Sequence, residues 1–148
     1  MSYKLCLRAF VLLYVIKYLM PKTNKFKILL ANQSPLINGK LYSMISGLNN
    51  ISVIGMAENN TEAMTIIEVM KPHAIILDTQ QTGNNSLDLL SELQLKQHQI
   101  KVIVFTNRTD SYYKYLCLKH GADVFLDKSS EFEQLPEILN VMSKEILE

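Results

Sequence analysis

The chain has 148 residues, of which 48% are apolar and 20% are charged, a composition that suits one globular domain with a substantial core. The formal net charge of +1 combines a basic N-terminal segment with a body, residues 25–148, that carries 11 basic and 14 acidic residues. This mildly acidic body gives no electrostatic case for direct nucleic-acid binding. Two isolated cysteines predict neither a disulfide framework nor a zinc site, so we expect a cytoplasmic, reducing environment.

Residues 1–24 form an apolar and basic extension that carries no acid and whose longest uninterrupted apolar run is eight residues. A membrane-spanning helix needs about 20 mainly apolar residues, and the segment lacks the small residues of a signal-peptide cleavage site. Arg8 and Lys17 fall on different helical faces, which argues against an interfacial amphipathic helix. We expect an extra helix or poorly ordered residues here, without membrane contact through residues 1–20. A membrane anchor and a cleaved signal are the alternatives.

From Lys25 onward, short apolar runs alternate with longer stretches of helical periodicity. Runs rich in Ile, Val and Leu suit strands that are buried on both faces of a parallel sheet. The five runs are Ile28–Ala31, Ile51–Ala57, Ala74–Leu77, Val102–Phe105 and Val124–Leu126. Five strands and five helices in strict alternation imply right-handed crossovers and a single doubly wound α/β domain, residues 25–148, with no output domain attached.

Helix boundary signals stand between the runs. Pro35 lies near the start of the first helical stretch, Gly121 can stop the fourth, and the fifth is expected to begin near Leu135 and to end at Leu147. The candidate N-caps of the second, third and fourth helices are Asn59 or Thr61, Asn85 or Ser86, and Asp110 or Ser111. Each predicted helix therefore has at least one boundary signal of its own.

Polar side chains follow the strands at their carboxyl ends, and in a parallel sheet these ends open onto one edge. The first strand delivers Asn32-Gln33, the third Asp78, the fourth Thr106-Asn107 and the fifth Asp127-Lys128. A carboxylate oxygen can act as a nucleophile, while a lysine and a threonine can hold the oxygens of a transferred phosphoryl group. The set therefore suits a phosphoacceptor. Spacing alone equally allows Lys128 to pair with an Asp and Thr106 to cap the following helix.

Four segments, in this order, resemble the receiver domain of two-component response regulators of the chemotaxis type. They are Lys27–Leu36, His73–Gly83, Val102–Asn107 and Gly121–Lys128. The resemblance implies a flavodoxin-like (βα)5 fold with strand order 2-1-3-4-5 and a non-enzymatic module of signal transduction. It also implies a histidine kinase or phosphotransfer protein as one partner and a downstream protein as another.

On this resemblance, Asp78 is the phosphoacceptor, Thr106 is the switch hydroxyl that moves toward the phosphoryl group, and Lys128 pairs with that group. Phe125 would be the aromatic that follows Thr106 between two rotamers, and a plain core ring is an equal alternative. Gln80 would offer its backbone carbonyl to Mg²⁺ beside Asp78. These roles come from the resemblance and are expectations for this chain.

The chain departs from the family pattern after the first strand, where Asn32 and Gln33 replace two acids. Mg²⁺ is usually held by one or two carboxylates together with phosphate, so we expect weak or absent Mg²⁺ binding at Asp78. Three hypotheses follow. The first is an atypical stand-alone receiver that acts through protein–protein interaction with a vestigial Asp78. The second is a phosphoacceptor with weakened Mg²⁺ dependence, and the third is an adaptor recruited through its N-terminal helix.

The helix after the fourth strand is rich in tyrosine. Tyr112 and Tyr115 can share one helical face, whereas Tyr113 points elsewhere. In the family, this helix, the fifth strand and the last helix form a common dimer or partner face, and tyrosine is enriched at interfaces. Tyr112 and Tyr115 are therefore candidates for a partner surface, with partial burial as the alternative. The three histidines show no metal-ligand spacing and are expected at the surface or at helix ends.

Overall fold

The computed structural model describes residues 3–19, 24–32, 34–78, 85–96 and 98–147. The strands are β1 (Phe26–Ala31), β2 (Ile51–Ala57), β3 (Ala74–Leu77), β4 (Lys101–Thr106) and β5 (Val124–Asp127). The helices are α1 (Tyr3–Leu19), α2 (Pro35–Ser46), α3 (Asn60–Met70), α4 (Asn85–Leu95), α5 (Ser111–Lys119) and α6 (Leu135–Leu147), and a 3₁₀ turn, Phe132–Gln134, precedes α6.

The five strands form one parallel sheet in the order β2-β1-β3-β4-β5. Their continuous apolarity is explained by burial, because every residue of β3 is buried and both faces of the sheet are covered by helices. The predicted fold class and strand order are confirmed, and the predicted strand boundaries differ from the observed ones by one or two residues at most.

The sheet separates two hydrophobic cores. Leu29 and Ile75 point into the core under α3, α4 and α5, which we call the α3–α5 face. Leu30 and Ile76, the next residues along, point into the core under α2 and α6, which we call the α2/α6 face. Successive side chains of a strand alternate between its two sides. Counting onward from Leu30 and Ile76 therefore shows on which face the residues after each strand emerge.

Local capping explains where the helices start. The Asn59 side chain accepts a hydrogen bond from the Glu62 N–H at 2.9 Å at the start of α3, and the Asp110 side chain accepts one from the Tyr113 N–H at 3.0 Å at the start of α5. Ser34 caps α2, with Pro35 as its first residue. The structure thus selects Asn59 and Asp110 from the pairs of candidate caps.

The N-terminal extension contains a continuous helix, α1, which packs beside α3. Its Leu13 side chain contacts the core of the α3–α5 face. Of the two expectations for this segment, the extra helix is the one observed over Tyr3–Leu19. None of the helices in the described part of the chain is long and apolar enough to cross a membrane.

Candidate functional site

Asp78 lies at the carboxyl edge of the sheet, one residue beyond β3. Its N–H donates to the Ala31 carbonyl at 3.0 Å and so continues the β1–β3 ladder by one residue. Its carboxylate forms an ion pair with the Lys128 ammonium through Oδ2. The side chains of Asp78 and Lys128 are only 3% and 7% exposed, so this ion pair is withdrawn from water.

Lys128 is held in place by both its backbone and its surroundings. Its N–H donates to the Thr106 carbonyl at 2.9 Å, and its Nζ lies 5.7 Å from the centroid of the Phe105 ring. Phe105 belongs to the core of the α2/α6 face, so Lys128 reaches Asp78 on that side of the sheet. Removing one partner of a buried ion pair costs about 3–5 kcal/mol, so this pair is expected to matter for the stability of the fold.

Thr106 ends β4 and is fully buried. Its Oγ1 accepts a hydrogen bond from the Arg108 N–H at 3.0 Å. Because Asp110 caps α5, Thr106 does not cap that helix. It fixes the first turn of the β4–α5 loop.

Asn32 follows β1 and is 3% exposed. Its Oδ1 accepts a hydrogen bond from the Ser34 N–H at 3.1 Å, and its main-chain oxygen accepts one from Asn38 Nδ2 at 3.0 Å. These two contacts fix which end of each amide is oxygen and which is nitrogen. The Asn32 Nδ2 group is buried and has no hydrogen-bond partner among the described residues. The oxygen of the Asn32 side chain therefore stabilises the turn into α2.

The sheet register brings Asn32 beside Asp78. Ala31 pairs with Leu77, so Asn32 and Asp78 occupy the next register position on neighbouring strands. By the alternation of side chains, both emerge on the α2/α6 face, as does Lys128. The neighbours at this edge are thus a carboxylate, an ammonium and an amide.

The described residues at this edge offer Mg²⁺ one carboxylate, that of Asp78, beside the neutral amide of Asn32. Mg²⁺ requires oxygen ligands in near-octahedral geometry, but Asp78 Oδ2 is paired with Lys128 and Asn32 Oδ1 accepts from Ser34. The described part of the chain holds no cluster of three His, Cys, Asp or Glu side chains that could bind a metal ion. Two members of the expected set, Gln33 and Gln80, lie outside the described residues.

Asp127 and Asn107 support the loops at the β4–β5 side of the edge. The Ser129 N–H donates to Asp127 Oδ1 at 2.8 Å and the Ser130 hydroxyl donates to Oδ2 at 2.9 Å. These hydrogen bonds hold the pKa of Asp127 below its ordinary value. The Ser129 hydroxyl also donates to Asn107 Oδ1 at 3.0 Å. Both side chains therefore fold the β5–α6 connection.

Phe125 is half-buried and packs against the core of the α3–α5 face. The Tyr113 ring approaches it edge-on, with centroids 6.3 Å apart, and the Arg108 guanidinium stacks 4.1 Å above the Tyr113 ring. Arg108 is the residue whose N–H contacts Thr106. A chain of contacts thus joins Thr106 to Phe125 through two residues, Arg108 and Tyr113, that sequence reasoning did not place in the site.

The tyrosines of α5 divide as their spacing predicts. Tyr112 and Tyr115 are 67% and 56% exposed, whereas Tyr113 is buried. Tyr112 and Tyr115 thus have the exposure that a partner surface needs, and their role stays a prediction. The spacing rule already contained the signal for Tyr113, because the residue off the exposed face of an amphipathic helix is the one that enters the core.

The opposite, amino-terminal edge of the sheet holds a cavity of about 740 Å³ that all three histidines line, namely His73, His98 and His120. His73 Nδ1 accepts the Lys27 N–H at 2.9 Å, and burial followed by the nearby Lys27 charge lowers the pKa of His73. The histidines are scattered in sequence and meet only through the fold. They lie far along the strands from Asp78 and take no part in its site.

Comparison with known proteins gives this edge of the sheet its context. A family model for the response regulator receiver domain matches residues 28–140. The chain belongs to this family. The resemblance inferred from the four sequence segments is therefore confirmed, and the chain carries a receiver domain of two-component signalling. Receiver domains interact with histidine kinases or phosphotransfer proteins.

Curated relatives include the nitrate/nitrite response regulator protein NarL of Escherichia coli, which is 31% identical over 113 residues, 76% of this chain and 52% of the relative. A protein-glutamate methylesterase/protein-glutamine glutaminase of Clostridium acetobutylicum is 29% identical over 124 residues, 82% of this chain and 36% of the relative. The chain thus spans about half the length, or less, of these relatives.

Solved structures agree on the fold. A LuxR-family DNA-binding response regulator from Staphylococcus aureus matches with a TM-score of 0.72 at 24% identity, over 80% of this chain and 98% of that one. The response regulator domain of Thermotoga maritima CheB matches with a TM-score of 0.69 at 22% identity, over 83% and 96%. At these identities the likeness concerns the architecture alone.

Proposed function

We propose that this chain is an atypical receiver that works through protein–protein interaction, with Asp78 held by Lys128 and without a resident Mg²⁺. One observation carries the proposal: the buried Lys128–Asp78 ion pair lies beside the neutral Asn32, whose side-chain oxygen accepts a hydrogen bond from the Ser34 N–H. A receiver needs negative oxygen ligands to draw Mg²⁺ to its phosphoacceptor. Here the described ligand set offers one carboxylate, already neutralised by Lys128.

The experiment is phosphorylation of the full chain by acetyl phosphate, and by a histidine kinase, in excess Mg²⁺. In that reaction an Asp78 oxygen attacks phosphorus while the bond from phosphorus to the acetate oxygen breaks. We expect the intact mass to stay unchanged. A mass increase of one phosphoryl group that disappears in Asp78→Asn would overturn the proposal.

The second candidate function is a working phosphoacceptor with weakened Mg²⁺ dependence. It is favoured by the position of Asp78, which lies at the carboxyl edge of the sheet with Lys128 in contact and with Thr106 at the end of the neighbouring strand. An ammonium can offset charge on a transferred phosphoryl group without a metal. The phosphorylation experiment separates the two functions, since this one requires an Asp78-dependent mass increase with or without Mg²⁺.

A conformational signal would leave the site through α5. Thr106, Arg108, Tyr113 and Phe125 are joined by successive contacts, and the exposed faces of Tyr112 and Tyr115 lie on the same helix. We infer that the surface formed by α5, β5 and α6 binds the downstream partner or a second copy of the chain. Tyr112→Ala with Tyr115→Ala should abolish partner binding and leave stability within about 0.5 kcal/mol, as expected for surface substitutions.

Several broader expectations stay part of this proposal. Residues 25–148 would be the receiver and residues 1–24 an extension of it, and the chain would act in the cytoplasm without enzymatic activity of its own. A buried free thiol at Cys117 is compatible with a reducing compartment. Direct nucleic-acid binding is not expected, because the body of the chain is mildly acidic.

A further inference from the structure

Helix α1 leaves an unusual amount of apolar surface exposed. It contacts α3, and Leu13 packs into the core of the α3–α5 face. The large apolar side chains on its other sides are 44% to 79% exposed, and they are Leu7, Phe10, Val11, Leu12, Tyr14, Val15, Tyr18 and Leu19. Large contiguous apolar patches are uncommon on soluble proteins, and they often mark a surface that binds a protein or a membrane.

The centre of this patch is a straight stripe. Leu7, Val11, Tyr14 and Tyr18 are spaced by four, three and four residues, which places them along one side of a helix. The Tyr14 and Tyr18 rings lie side by side with centroids 4.8 Å apart, and their hydroxyl oxygens are 3.0 Å apart. The stripe points away from Leu13 and therefore away from the domain. We call it the outer stripe of α1.

Basic side chains border the outer stripe on both sides. Arg8 and Lys17 are nine residues apart, or two and a half helical turns at about 3.6 residues per turn, so they project from opposite sides of α1. The sequence alone argues against a lipid contact because Arg8 and Lys17 do not share a helical face. With Leu13 turned to the domain, they occupy the two borders of the stripe, where long basic side chains can reach a charged surface.

The N-terminal part of the chain carries charge of one sign, because the first acidic residue is Glu58 and residues 1–57 carry seven basic residues. The neighbouring helix α3 does carry acids, Glu62 and Glu68. Burial lowers the pKa of Lys27, and the positive charge of Lys17 on α1 lowers it further, so the two ammonium groups lie within electrostatic reach of each other. A surface that is apolar at its centre and basic at its borders complements a partner that is negative and apolar.

We propose that the outer stripe of α1 binds an anionic lipid surface, with the helix lying in the plane of the interface. Apolar and aromatic side chains would enter the boundary between headgroups and acyl chains, while Arg8 and Lys17 contact lipid phosphates. A second copy of the chain fits less well, because α1 carries no acidic residue that could pair with Arg8 and Lys17 of the first copy.

The test is flotation of the full chain with phosphatidylcholine vesicles, with and without a minor share of phosphatidylglycerol. We expect binding to the anionic vesicles, weakening as salt is added because the electrostatic part is screened, and little binding to the neutral ones. No binding to either vesicle, or equal binding to both, would overturn the proposal. Flotation does not require phosphorylation of Asp78, so the result is independent of the receiver chemistry.

Matched variants locate the surface. Val11→Glu should reduce binding at least tenfold, whereas Val141→Glu on α6, at a valine of similar exposure (50% against 53%), should not. Lys17→Gln should lower affinity roughly fivefold, the share of one basic residue near an anionic membrane, and Lys144→Gln on α6 should leave it unchanged. If circular dichroism shows that Val11→Glu does not fold, the comparison of Lys17→Gln with Lys144→Gln tests the proposal instead.

Two outcomes count against the lipid surface even when the chain folds. Equal losses in Val11→Glu and Val141→Glu would mean that the attachment is unspecific. A dimer seen by sedimentation without lipid, and lost in Val11→Glu, would assign the outer stripe to a second copy of the chain.

Discussion

The two sides of the candidate site are built on different principles. On the β3–β5 side, Asp78 and Lys128 form a buried pair of opposite charges, with Thr106 at the end of the strand between them. On the β1 side, Asn32 is neutral, and its oxygen is used to turn the chain into α2. Charge at this edge of the sheet is thus concentrated at the ends of β3 and β5, whereas the end of β1 is neutral.

The largest expected effect tests the charged side. Lys128→Ala removes the ammonium that pairs with the buried Asp78 carboxylate and should lower the free energy of unfolding by about 3–5 kcal/mol. Lys101→Ala is the matched control, because Lys101 pairs with Asp123 at 3.8 Å in an exposed setting, where such pairs contribute at most about 1 kcal/mol. Urea unfolding measures both. Equal losses of unfolding free energy would mean that burial does not make the Lys128–Asp78 pair more stabilising than the Lys101–Asp123 pair.

The next prediction converts the neutral side into the charged type. Asn32→Asp together with Gln33→Asp adds two carboxylates directly after β1 in the sequence and should lower stability without metal through like-charge repulsion. Mg²⁺ should then restore it, by about 2.7 kcal/mol at a concentration 100-fold above the dissociation constant.

Thermal unfolding with and without Mg²⁺ measures this gain. Asn107→Asp, which adds a charge at the β4 side of the same edge, is the control and should gain no Mg²⁺ dependence. If the double variant is equally insensitive to Mg²⁺, the loss of the acids is not what separates this chain from metal-binding receivers.

A smaller effect is expected from removing the Asn32 amide. Asn32→Ala leaves the Ser34 N–H without its acceptor and should cost about 1 kcal/mol, the typical value of one such hydrogen bond. Asn32→Asp keeps an oxygen in that place and should retain the turn. Urea unfolding of the two variants decides, and an Asn32→Ala chain as stable as the unmodified one would show that the oxygen is not needed by the turn.

The smallest effect concerns Asp127, whose pKa is lowered by hydrogen bonds from Ser129 and Ser130. Its folded-state pKa lies below its unfolded one, so its contribution is complete above the ordinary Asp value of about 3.9 and is lost as the pH falls through the folded value. Asp127→Asn should therefore flatten the acid limb of stability against pH. An unchanged acid limb in urea unfolding would contradict the assignment.

Much of the fold follows from the sequence because its signals are local. Continuous apolar runs identify the five strands, and the end of each run already indicates that Asp78, Thr106 and Lys128 share one edge of the sheet. The caps illustrate the limit, since Asn59 and Thr61 are both acceptable cap residues by type, and the structure shows that Asn59 is the one that caps α3.

What the sequence does not supply depends on contacts between distant residues. That the Asn32 Nδ2 group is buried without a hydrogen-bond partner among the described residues is a matter of three-dimensional placement. The meeting of three histidines in one cavity is likewise produced by the loops between strands and helices. The position of the exposed outer stripe of α1 likewise follows from a tertiary contact, because Leu13 faces the domain.

A Mg²⁺ titration of the unmodified chain followed by NMR shows whether Asp78 is held by Lys128 without a resident metal. The Asp78, Asn32 and Lys128 resonances should show no saturable shift as Mg²⁺ is raised through the millimolar range. A saturable shift centred on Asp78, absent in Asp78→Asn, would contradict this expectation.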